Sequence, residues 1–80
     1  MGNFKFNKEY FSEFALLALN FDKEKMEYFK RGFSEHEWKL LLKGVVIESQ
    51  KIIDFSGNKE DVKKAEVIKD FADFFHLRMF

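Results

Sequence analysis

Residues 31–44 of the chain read RGFSEHEWKLLLKG, a stretch holding its only Trp, one of its two His, and Glu, His and Glu in a row. The spacing gives most of these residues a structural task. Ser34 is followed three residues later by Glu37, the pattern of a capping box, in which each side chain satisfies a free amide at a helix start. Phe33 precedes the cap and Trp38 falls at the fourth helical position, which makes a hydrophobic staple. Gly32 stands where a preceding helix should stop, because glycine takes the left-handed conformation that closes helices. These signals follow one another without a break, so the stretch predicts a joint between two helices.

Outward from that joint, apolar and charged residues alternate at helical spacing almost throughout, and there is no Pro. Toward the N-terminus, Asp22 is a good cap for a short helix ending at Gly32, with Phe21 and Met26 placed as a second staple. Before it, Phe11, Phe14, Ala15, Ala18 and Phe21 recur at three- and four-residue steps, which predicts a helix over residues 8–20 with those residues facing the core. Residues 1–7 are expected to form an extended arm that packs Phe4 and Phe6. Toward the C-terminus, a helix over 35–55 should bury Trp38, Leu41, Leu42, Val45, Ser49, Ile52 and Ile53. Gly44 interrupts it, and its missing side chain invites close approach by the first helix or by the Phe14 ring. The β-branched GVVI run, Gly44 to Ile47, would suit a strand, but no alternation surrounds it. Ser56 or Asn58 caps a last helix running to about Met79, with Val62, Ala65, Ile68, Ala72, Phe75 and Met79 inward. The expected fold is all-α, a compact bundle of four helices, two short and two long, in a single domain spanning residues 1–80 without a sheet.

Composition narrows the functional classes. The chain has 80 residues, 12 Phe, 2 Tyr, 1 Trp and no Cys, so neither a disulfide nor a thiolate metal site is available. Fourteen basic residues offset 14 acidic ones, whereas nucleic-acid binders show a basic excess or a basic face. No apolar run approaches the roughly 20 residues that span a membrane. The opening MGNFKF has Phe6 where a myristoylation site wants Ser or Thr. A cytoplasmic location fits the lack of Cys.

Catalytic and metal chemistry find no constellation. Glu35, His36 and Glu37 are adjacent on a helix and point about 100° apart, so they cannot converge on one ion or proton. The positions His36 would need for a helical metal motif hold Gly32, Phe33, Lys39 and Leu40. His76 has only Asp73 as a surface partner, and Ser12, Ser34, Ser49 and Ser56 have no base in reach. A non-enzymatic protein without cofactor, metal or small-molecule substrate is expected.

Two binding readings remain. The window from Glu27 to Lys43, with GFS at its turn and Phe33, Trp38 and Leu41 in apolar register, resembles the helix-turn-helix of bacterial and phage repressors. That resemblance would put His36, Lys39 and Lys43, with Glu35 and Leu40, toward the major groove. Tyr28 stands where such repressors favour a small residue, and Glu27 and Arg31 where they want apolar ones. The second reading rests on a second apolar stripe. Leu40 and Ile47 lie opposite the core stripe of the third helix, where a central helix of a bundle is expected to be sandwiched. Val67 and Phe74 form a like stripe on the last helix with Phe71 at its edge, and Arg78 and Phe80 follow. Two stripes mean burial on both sides or contact with another chain, and Phe and Arg are common interface anchors. The leading expectation is therefore a protein-binding module, an adaptor or stoichiometric inhibitor, with Val67, Phe71, Phe74, Arg78 and Phe80 as anchors. Its partner would be a larger protein complex or its own copy in a homodimer, with nucleic acid and membrane not expected. Small, Cys-free, Phe- and Lys-rich helical proteins are frequent among phage and mobile-element inhibitors of host machinery, including host defence, and this chain is similar to them in type.

Overall fold

Every helix begins on a side chain that accepts hydrogen bonds from its own first turn, which answers the free amides that a helix start would leave unsatisfied. Asn7 Oδ1 accepts from Tyr10 N at 2.9 Å, Asp22 Oδ1 from Lys25 N at 3.0 Å, and Asn58 Oδ1 from Glu60 N at 2.9 Å. Between them, Ser34 Oγ accepts from Glu37 N at 3.1 Å while Glu37 Oε1 accepts from Ser34 N at 2.9 Å, completing the capping box. The resulting elements, in a computed structural model that describes residues 4–78 with side chains through Phe75, are α1 (Lys8–Leu19), α2 (Lys23–Lys30), α3 (Glu35–Phe55) and α4 (Lys59–Arg78). Among the described residues there is no strand, so the GVVI run is helical and the expected all-α bundle of two short and two long helices is what forms.

Helices α3 and α4 pack as the central pair, and α1 lies across both. Phe14, Ala18, Met26, Trp38, Leu41, Leu42, Val45, Ile68, Ala72 and Phe75 form one buried cluster. Trp38 is its hub, with the rings of Phe14, Phe29, Phe33 and Phe75 centred 6.0–6.1 Å away. Edge and tilted contacts of this kind suit aromatic quadrupoles. The 6.0 Å Phe33–Trp38 contact is the staple expected at the α2–α3 joint. Lys69 Nζ, half-buried between the long helices, donates to Gln50 Oε1 at 2.8 Å, and Gln50 Nε2 donates to Asp54 Oδ1 at 2.9 Å. The radius of gyration is 12.3 Å, close to the about 12 Å of a compact chain of this length.

Several expectations need correction. Gly32 does not close α2 in the left-handed conformation, since no glycine among the described residues has positive φ. The helix stops at Lys30 and reverses through two tight turns, in which Gly32 N donates to Phe29 O and Phe33 N to Lys30 O. At Gly44 the close neighbour is neither α1 nor Phe14 but the N-terminal arm, because a Cβ there would sit 2.5 Å from Cγ of Phe6. Phe4 anchors the same arm by stacking on Tyr10 at 5.5 Å and meeting Phe33 edge-on at 5.9 Å. Leu40 and Ile47 are not sandwiched: they are 38% and 49% exposed, because α4 covers only the opposite side of α3. Phe21, expected inward from α1, is 67% exposed. The expected core position Met79 lies outside the described residues.

Candidate functional site

The site begins at Phe21. Helices α1 and α2 are separated only by Asn20, Phe21 and Asp22, and Asp22 is committed as the cap of α2. Phe21 N donates to Ala18 O and Asp22 N donates to Leu17 O, both at 3.1 Å. That pair of bonds is the Schellman closure of α1, which requires a left-handed residue at the position Phe21 occupies. Phe21 has φ 52°, and it is the one non-glycine with positive φ among the described residues. Glycine is usual at such a site because a Cβ crowds the backbone there.

From that position the Phe21 ring reaches across to α4, where its centroid lies 6.4 Å from that of Phe71. With Phe21 as one wall, Val67, Phe71, Phe74 and Phe75 complete an apolar cleft of about 400 Å³, and Lys23 and Asp70 border it. Val67, Asp70, Phe71 and Phe74 follow at three- and four-residue steps and so share one face of α4. Phe71 belongs to both cleft and core: its ring meets Phe14 edge-on at 6.3 Å and Phe75 at 5.4 Å. Phe74 is 44% exposed and rests edge-on against Phe75 at 5.7 Å. Lys23 and Asp70 are exposed, and among the described residues neither forms an ion pair. The cleft is an apolar floor with one cation and one anion at its border. It is suited to receive an apolar side chain, and among the described residues it brings together no nucleophile and no metal-ligand set.

Of the expected anchors, Val67, Phe71 and Phe74 come together here. Arg78 is the last residue of α4; its side chain, Phe80 and the His76 side chain expected to pair with Asp73 lie outside the described residues. Sequence reasoning missed Phe21 and Lys23 as members. A signal for Phe21 was present: a helix ending near Asn20 and a cap at Asp22 leave only Phe21 for the closing position.

Elsewhere the surface is less specific. A larger hollow of about 750 Å³ runs beside α1, but Lys8, Glu9, Ser12 and Glu13 supply much of its wall. His36 and Lys43 are exposed on α3 and Lys39 is half-buried, with Glu35 and Glu37 in the same first turn as His36. No group of three or more His, Asp or Glu that could hold a metal ion occurs among the described residues. No helix among them is long and apolar enough to cross a membrane. No protein-family model, curated protein or solved structure matches the chain.

Proposed function

We propose that this protein is a non-enzymatic binding module, an adaptor or stoichiometric inhibitor, whose cleft between Phe21 and α4 is the surface that meets another protein chain, a larger partner or its own copy. One observation carries the reading: a large aromatic ring stands at a left-handed, glycine-type position while remaining 67% exposed. Burial in the core does not account for that choice. A side chain held in an unfavourable backbone conformation at a surface is a recurrent mark of a functional site. Phe74 beside it adds a second exposed ring, and Phe is a frequent anchor in protein interfaces. Among the described residues the only titratable side chains at the cleft are Lys23 and Asp70, an arrangement suited to recognition rather than to proton transfer or nucleophilic attack. A role as a phage or mobile-element inhibitor of host machinery is one form this module takes under our reading.

Photo-crosslinking tests it. A benzophenone amino acid replacing Phe74 should yield discrete covalent adducts with protein on irradiation in cells, and the same residue replacing Lys64, exposed on α4 outside the cleft, should not. Equal labelling from both positions, or no protein adduct from Phe74, would remove the docking reading. The DNA-reading alternative makes a different demand. Duplex binding should fall steeply with salt and be lost with Lys39→Glu and Lys43→Glu, leaving Phe74→Asp without effect.

A further inference from the structure

We infer that the occupant of this cleft is the same cleft of a second copy of the chain, related by a two-fold axis; the inference rests on the docking reading above. The charges at its border carry the argument. Lys23 comes from the first turn of α2 and Asp70 from α4, so one cation and one anion flank the same apolar floor from different elements. Neither is neutralised by an ion pair among the described residues. In a two-fold contact, if residue i meets residue j of the partner, then j meets i. A border bearing one charge of each sign is therefore complementary to itself: Lys23 faces Asp70 of the other copy, and Asp70 faces its Lys23. A strongly acidic or strongly basic partner would match only one of the two.

The apolar part obeys the same symmetry. Phe74 lines the cleft with 44% of its surface exposed, beside Phe21, Val67 and Phe71. Two copies brought face to face each present the same exposed apolar lining, so each can cover the other's. Zero formal net charge leaves no overall repulsion to oppose the approach.

Charge exchange between the two positions separates this geometry from any other association. In sedimentation velocity on the full chain, from micromolar to millimolar concentration, wild type should self-associate and Phe74→Asp should stay monomeric. Lys23→Asp alone places two like-charged pairs across the contact, and so does Asp70→Lys alone. Each should weaken self-association about tenfold or more, since like charges across an interface are strongly unfavourable. An equimolar mixture of these two variants restores opposite signs at both pairs, and should form a heterodimer about as tight as the wild-type dimer. A monomeric wild type at millimolar concentration would overturn the inference while leaving the docking reading to its crosslinking test. A dimer insensitive to the single reversals, or a mixture no tighter than either variant alone, would overturn the two-fold geometry. Protein adducts from position 74 that never include a second copy would also refute it, with the docking reading intact.

Discussion

Phe21 reverses the usual ranking of glycine and alanine, and that reversal can be measured. In an ordinary helix glycine is worse than alanine by about 1 kcal/mol. At φ 52° the Cβ itself is the liability, at about 1–2 kcal/mol for a left-handed L-residue. Phe21→Gly should therefore be more stable than Phe21→Ala by about 1 kcal/mol in urea unfolding, although both lose the ring. Equal stability, or alanine ahead, would show that the backbone is not strained there. Ser49 poses a different residue-scale question. It is fully buried on the inner face of α3, and its Oγ has no hydrogen-bond partner among the described residues. A buried hydroxyl without a partner is destabilising relative to an apolar replacement of similar shape. Ser49→Ala is expected to raise stability by about 1 kcal/mol, read as an increase in the urea midpoint with unchanged slope. A loss of stability would mean that the hydroxyl is satisfied in solution.

At the scale of elements, Gly44 couples the arm to α3. A methyl group at Gly44 would meet the Phe6 ring at 2.5 Å, while alanine favours the helix itself by about 1 kcal/mol. Gly44→Ala should displace the arm and leave the helices: resonances of Phe4, Phe6 and Tyr10 shift, and far-UV circular dichroism is unchanged. Unperturbed Phe6 resonances would mean the arm does not lie over Gly44. This contact also marks where sequence reading stops. The start of α3 was legible because Ser34, Glu37 and Trp38 act within one turn of one another, as was the cap at Asp22, while local pattern left Ser56 and Asn58 both open as the cap of α4 and the structure uses Asn58. Which chain segment fills the notch at Gly44 depends on the path of residues more than 30 positions away, and no local pattern encodes it. Leu40 and Ile47 fail for the same reason, since their exposure follows from the side of α3 that α4 chooses. Half of the cleft was readable as the Val67–Phe71–Phe74 periodicity. For its other wall the sequence marks only the closing position of Phe21 between Asn20 and Asp22; that the ring then reaches α4 follows from the course of the α1–α2 turn.

For the whole molecule, the balance is between a small core and a surface that leaves large apolar groups uncovered. Trp38 gathers four rings around itself, yet Leu16, Phe21, Ile47, Phe55 and Phe74 remain exposed. Domains of this size are only a few kcal/mol more stable than their unfolded chains, so any burial gained by association is a large fraction of the total. If a second copy closes the cleft, dimerisation is linked to folding by mass action, and the melting temperature must rise with protein concentration. The single Trp, fully buried, supplies the probe, because its emission should shift to the red as the ring is exposed. Wild type should melt several degrees higher at millimolar than at micromolar concentration, since about 1 kcal/mol moves the midpoint of such a domain by about 4–8 °C. Phe74→Asp, altered at a half-exposed side chain outside the buried cluster, should fold with the same helical content and melt at one temperature throughout. A wild-type midpoint independent of concentration would mean that the native state contains one chain, and the cleft would then be open for a different protein.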